Sequence, residues 1–176
     1  MLLKQRYTTT MRSIIAILFL LMIGCQSKNA KKDKYSKDKE AIAGIHERYV
    51  EGWKNMNEEE IMSLFEDDSR IQPNTLAPVQ GKVQIQAFWF PKDSSVTTIH
   101  KFDTHLIGIE VNDTIAVSTY NTYLDWSYQK DSTAFGMAQK DISTTLYRKQ
   151  QDTTWAIWRQ MWTDIYEKRK PYRPPN

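Results

Sequence analysis

His100 and Asp125, an imidazole and a carboxylate, fall in two stretches that read as neighbouring β-strands. A two-residue turn at Asn112-Asp113 pairs residue 111 with 114. That register sets His100 opposite Asp125, Phe102 opposite Tyr123 and Thr104 opposite Asn121. An imidazole and a carboxylate in hydrogen-bond reach can abstract a proton and return it. A second turn, centred on Gln151, sets Ser143 opposite Arg159 and Asp141 opposite Met161. The guanidinium of Arg159 suits an anionic or carbonyl group on a ligand. The same side chains also admit structural readings: His100–Asp125 as a surface cross-strand pair, Asp141–Arg159 as an ion pair, and Tyr49 and Tyr123 as core residues with satisfied hydroxyls. His46 reads as solvent-facing, and His105, at odd offset from His100, as turned away. Three scattered histidines give no metal-ligand spacing, the hydroxyl residues lack a nucleophile elbow, and no cofactor is expected.

These residues sit on a chain of 176, enough for one domain, with 40% hydrophobic, 26% charged and 12% aromatic side chains. The formal net charge of +3 comes from the N-terminus: residues 1–24 hold Lys4, Arg6 and Arg12 and no acid. Residues 41–166 hold 11 basic and 17 acidic side chains, which speaks against a nucleic-acid surface.

The elements come in two blocks. Ile42, Ile45, Tyr49 and Trp53 recur at helical spacing. Asn57 caps a second helix carrying Glu58, Glu59 and Glu60, with Glu60 placed to complete a capping box. "EDDSRIQP" breaks it, with Asp67-Asp68 as a terminating turn, and residues 82–90 form a third helix stopped by Pro91. Strands follow at about 97–111, 114–128, 134–148 and 153–165, rich in β-branched and aromatic residues and separated by turn-like breaks. Helices first and an antiparallel meander second is an α+β order.

The order of "LFEDDSRI", then "P..V.G...I..FW" with Gly81, Ile85 and Phe88-Trp89, then four strands ending in the Trp155 hairpin resembles the nuclear transport factor 2-like superfamily, its SnoaL-like branch in particular, over residues 39–166. The resemblance implies a cone: a curved antiparallel sheet of four long strands plus a short edge strand, wrapped around three N-terminal helices, with a pocket at its open end. It implies that Ile115, Val117, Thr119, Asn121, Tyr123 and Asp125 point inward, with Trp155, Ile157, Arg159 and Met161. The expected site is then His100 and Asp125 as acid and base, with Tyr49, Phe102, Asn121, Tyr123, Asp141, Ser143, Arg159 and Met161 around a small-molecule ligand. Family members include dehydratases, isomerases and non-enzymatic binding modules, so fold alone does not decide between a binding protein, a lyase or isomerase, and an interaction module. The sequence departs from the family where SnoaL-like members carry last-strand histidines, here Arg159 and Met161, and where dehydratase-like members carry a helix-1 aspartate, near Lys54 here. The opposite face, with Tyr120, Leu124, Trp126, Trp158 and Trp162, is too apolar for open water, and a homodimer through the sheet is expected to cover it.

The N-terminus reads as an address. A basic stretch precedes "IIAILFLLMI" at residues 14–23, too short to span a bilayer, which takes about 20 residues. "LMIGC" resembles a bacterial lipobox, which implies cleavage before Cys25, removal of residues 1–24 and lipidation of the Cys25 thiol. The alternative is a signal anchor with a buried free cysteine. Residues 25–40, with six lysines, read as a tether, and 167–176 as a disordered tail. No Asp follows Cys25, which by resemblance to envelope sorting signals favours the outer membrane, facing the periplasm. Replacing Cys25→Ser is expected to abolish incorporation of labelled palmitate and to move the protein from the membrane pellet to the soluble fraction. Persistence in the pellet would support the signal-anchor alternative.

Overall fold

The computed structural model describes residues 33–175. Cys25 and its apolar run lie outside them. Among the described residues no helix is long and apolar enough to cross a membrane.

Helix α1 (Ser36–Lys54) begins inside the expected tether and buries Ile42, Ile45, Tyr49 and Val50. His46 is buried with them, at 9% exposure, contrary to the solvent-facing expectation. It stands four residues after Ile42 and three before Tyr49, so the helical stripe includes it. Helix α2 (Glu58–Ser63) is capped as its sequence requires: Asn57 Oδ1 accepts from the Glu60 N–H at 3.1 Å. The Glu60 carboxylate does not close the box; it accepts from Arg48 Nε at 2.6 Å. The two helices approach closely at Gly52, where a Cβ would stand 2.7 Å from Ile61 Cγ1.

The segment after α2 is a strand, not the expected break. β1 (Phe65–Gln72) pairs in parallel with the last strand and antiparallel with the two-residue β2 (Val79–Gln80). Phe65, Ser69 and Ile71 are its buried residues, and the Ser69 hydroxyl donates to the carbonyls of Glu66 and Ile157 at 2.6 and 2.8 Å. Helix α3 (Lys82–Trp89) follows Gly81, whose φ of 93° suits a residue without Cβ. Four long strands then run as hairpins: β3 (Val96–Asn112), β4 (Ile115–Lys130), β5 (Thr133–Lys149) and β6 (Trp155–Lys170). The six-stranded sheet has the order β2-β1-β6-β5-β4-β3, an α+β arrangement with an unclosed, curved sheet around the helices. The core joins α1, α2 and α3 to the sheet through Ile42, Ile61, Ile71, Ile85, Tyr147 and Ile157. Each fully buried isoleucine contributes about 1.5–3 kcal/mol relative to exposure.

Bulges decide which side chains face that core. The first hairpin turns at Asp113-Thr114, with Asn112 paired to Ile115, rather than at Asn112-Asp113. Register then slips at Ile107 and again at His100, so His100 is itself an extra residue and Lys101 stands opposite Asp125. In β6 the register slips at Trp158, where Ile157 pairs with Tyr147 but Arg159 with Leu146, and again at Ile165, where Asp164 pairs with Asp141 but Tyr166 with Lys140. Trp155 and Ile157 therefore face the core, and beyond the bulge Gln160 and Trp162 do so in place of Arg159 and Met161.

In β4 the faces are the reverse of those expected. Ala116, Ser118, Tyr120 and Thr122 are buried, while Ile115, Val117 and Thr119 are only half-buried and Asn121 is exposed. Ala116 and Ser118 stand beside the buried Tyr147, whose hydroxyl lies 3.0 Å from Ser118 Oγ. The aromatic residues assigned to the outside, Tyr120, Leu124, Trp126 and Trp162, thus line the inside, and the expected dimer and partner surface loses them. Trp158 alone of that set is outside, held between the guanidinium carbons of Arg148 and Arg159, each 4.2 Å from its ring centre.

Two glycine replacements test this backbone account by urea denaturation. Gly81→Ala forces a methyl-bearing residue to positive φ and is expected to cost about 1–2 kcal/mol. Gly44→Ala, inside α1 where a Cβ meets nothing within 4 Å, is expected to gain about 0.5–1 kcal/mol.

Candidate functional site

A cavity of about 570 Å³ opens between α1, α3, the segment 73–76 and the concave face of β3–β6. Its wall is rich in aromatic residues: Tyr49, Trp53, Phe88, Trp89, Phe102, Trp126, Tyr128, Phe135 and Trp162. The strand rows explain its polarity. The row Val111, Ala116, Tyr147, Ile157 forms the closed apolar end. Further toward the mouth comes the row Thr104, Thr122, Asp141, Asp164, whose members stand opposite one another on adjacent strands. Opposed residues of an antiparallel pair have Cβ atoms about 4.5–5.5 Å apart, so Asp141 and Asp164 are immediate neighbours.

Asp141 is 5% exposed. Burial pushes its carboxyl up to about 6, and the charge of Asp164 adds to this; hydrogen bonds from Thr122 and Gln139 act the other way. Burial also raises Asp164, although Asn74 Nδ2 donates to its Oδ2 at 2.8 Å and Gln139 Nε2 to its Oδ1 at 3.2 Å. Gln139 is fixed from its other end, its Oε1 accepting from Trp126 Nε1 at 2.9 Å. His46 also lines the cavity. Its ring stacks on Tyr120 with centroids 3.5 Å apart, and its Nε2 lies 3.1 Å from Thr104 Oγ1. Burial depresses this imidazole to about 4, so it is neutral near pH 7. Tyr49 donates to Gln160 Oε1 at 3.4 Å, and burial raises its hydroxyl to about 12. An ionisable carboxyl with a value near neutrality, in a largely apolar hollow, has the character of a general base.

Of the residues expected at the site, Tyr49, Phe102, Asp141 and Ser143 line this cavity. His100, Asn121, Tyr123, Asp125, Arg159 and Met161 do not. His100 and Asp125 share the opposite face, where they seat the C-terminal segment. His100 Nε2 lies 2.8 Å from Ser127 Oγ, which donates to the Arg173 carbonyl at 2.7 Å. Asp125 Oδ2 pairs with Lys170 Nζ at 2.7 Å. Burial and the nearby Arg173 charge lower the His100 imidazole. Tyr123 has the Lys101 ammonium 5.5 Å from its ring centre, and Met161 is half exposed. Arg159 donates to the Asp68 and Trp158 carbonyls at 3.0 and 2.7 Å rather than meeting Asp141. His46, Gln139, Gln160 and Asp164 were missed. A signal existed for the last two: Gln160, Trp162 and Asp164 alternate along one face, amphipathic residues interleaved with polar ones. Among the described residues no group of three or more His, Cys, Asp or Glu side chains is arranged to hold a metal ion.

No family model matches the sequence, and neither does any curated protein. Solved structures do match in fold. A ketosteroid isomerase-like protein from Erwinia carotovora atroseptica superposes with a TM-score of 0.60 at 12% identity, over 72% of this chain and 95% of that one. A nuclear transport factor 2-like protein of unknown function from Shewanella baltica gives 0.55 at 14% identity, over 75% and 97%. The chain has the nuclear transport factor 2-like fold. Hexachlorocyclohexane dehydrochlorinase LinA-type3 from Novosphingobium barchaimii shares it, with a TM-score of 0.59 at 13% identity, over 79% and 96%. In this chain the cavity stands between the helices and the concave sheet face, and its carboxyl pair is contributed by the two adjacent strands β5 and β6.

The sign of the pH dependence follows from Asp141. Its folded value of about 6 exceeds the ordinary 3.8, so the folded state holds the proton more tightly. This contribution to stability falls as pH rises through roughly 4 to 6, and the full cost of the buried charge persists above. Asp141→Asn is therefore expected to stabilise the protein by about 1–3 kcal/mol at pH 8, with the advantage vanishing near pH 4. Denaturation at both pH values checks it. Equal or lower stability of the variant at pH 8 would contradict a buried, ionised Asp141.

Proposed function

We propose that this chain is a membrane-anchored envelope lipoprotein whose cone-shaped cavity binds a small, partly apolar molecule. The observation that carries the reading is the cavity itself. Its volume of about 570 Å³ lies in the range of about 300–1,000 Å³ usual for small-molecule sites, and its aromatic wall with a few placed polar groups has their usual make-up. The lipobox at Cys25 supports the anchor, and the lysine-rich stretch that follows supports a spacer between membrane and domain.

A second reading is favoured by one observation, the Asp141 carboxyl raised to about 6. With it the cavity would act as an isomerase or lyase, Asp141 taking a proton from a bound substrate and returning it to another atom or releasing it. The likeness in fold to a hexachlorocyclohexane dehydrochlorinase supports this reading. In this reading Asp141 and Asp164 take the place of His100 and Asp125, which stand outside the cavity.

A thermal-shift screen of ring-sized compounds tests both. Binders are expected to raise the melting temperature of the native chain and to have a smaller effect on Ser143→Phe, whose ring intrudes on the cavity. Equal shifts in that variant, or no shift from any compound, would contradict the binding reading. If a binder is also turned over, Asp141→Asn, compared at saturating ligand, is expected to lose about 10²–10⁴ in rate. Full turnover in that variant would remove the second reading.

A further inference from the structure

Among the described residues, the charged groups lining the cavity are of one sign. Asp141, Asp164 and Glu167 line it, and the described lining holds neither lysine nor arginine. The one imidazole there, His46, is held neutral by burial. Two basic residues of β6 are engaged elsewhere: Arg159 at the Asp68 carbonyl, and Lys170 at Asp125 on the other face. Arg169 packs on Phe135 with its guanidinium carbon 4.9 Å from the ring centre, beside the wall but outside the lining.

The acids alone would say little. They stand, however, within a preformed hollow whose lining includes the rings of Trp89, Trp126, Tyr128, Phe135 and Trp162. Asp141, almost wholly buried, is held by Thr122 and Gln139, whereas a carboxylate offers about four acceptor sites. Each class of ligand meets this wall differently. An anion adds a third desolvated charge of the same sign beside the pair. A neutral molecule leaves the two carboxylates facing each other uncompensated. An ammonium group compensates both at once, and its apolar body lies on aromatic faces that attract positive charge.

Resting on the small-molecule reading, we propose that the cavity selects an organic cation, an amine carried on a ring-sized apolar body, with Asp141 and Asp164 receiving the ammonium group and Glu167 drawing it in at the mouth. The aromatic wall supplies area and cation–π attraction. The carboxyl pair supplies the discrimination, because no counter-charge of the protein's own is among the described residues lining the cavity.

The test uses three probes of one shape and different charge: tryptamine, tryptophol and indole-3-acetate. Each is titrated calorimetrically into the full chain in detergent. Tryptamine is expected to bind about tenfold or more tighter than tryptophol, and indole-3-acetate more weakly than either. Asp164→Asn and Glu167→Gln, made separately so that a folding failure of one leaves the other, are each expected to weaken tryptamine several-fold and to leave tryptophol unchanged. Tryptophol or indole-3-acetate binding as tightly as tryptamine would overturn the cation proposal while leaving the small-molecule reading standing. Failure of all three probes to bind would count against both.

Discussion

Two carboxylates facing each other in a wall of aromatic rings are the constraint around which the candidate site is built. Asp141 and Asp164 stand on adjacent strands, one almost wholly buried. Desolvation and mutual repulsion both disfavour ionisation, so the pair carries either a proton or a positively charged partner. The hydrogen bonds from Thr122, Asn74 and Gln139 moderate that cost without cancelling it. A protein that only needed a packed core at this place would gain stability from apolar residues there. Keeping two acids in a hollow makes physical sense as part of a site.

The bulges put them there. Strands of sixteen or seventeen residues with strict alternation would hold one face throughout. The slip at Trp158 exchanges the faces of β6 midway, so that Ile157 packs at the closed end while Gln160, Trp162 and Asp164 line the open one. The slips at Ile107 and His100 curve β3 in the same manner. The fold thereby combines an apolar closed end with an aromatic, acidic upper wall on the same strands.

Much of the fold could be read from local pattern, and the faces could not. The Ile42–Trp53 stripe, the Asn57 cap and the four long strands are each local signals, and each is present. β1 is held by parallel pairing to a strand far along the chain, and "FEDDSRIQ" alone, with charges on its exposed positions, resembles a loop. The inner face of β4 was misread because Ile115 and Val117 look more like core than Ala116 and Ser118, yet the smaller pair stands beside the buried Tyr147. Once a bulge intervenes, parity counted from a turn fails, which is why His100 and Arg159 lie on the other side from that expected; Asp125 follows the reversed face of β4. Asp141 and Ser143 keep the face of Tyr147, as counting from the last turn requires, because β5 itself carries no extra residue between them.

The central claim is that Asp141 is a buried carboxyl next to a second acid, and a ¹³C titration of its side-chain carboxyl measures this directly. The structure predicts a midpoint of about 6. A midpoint at or below the ordinary 3.8 would show a solvated or counter-charged group, and the site described here would then be wrong.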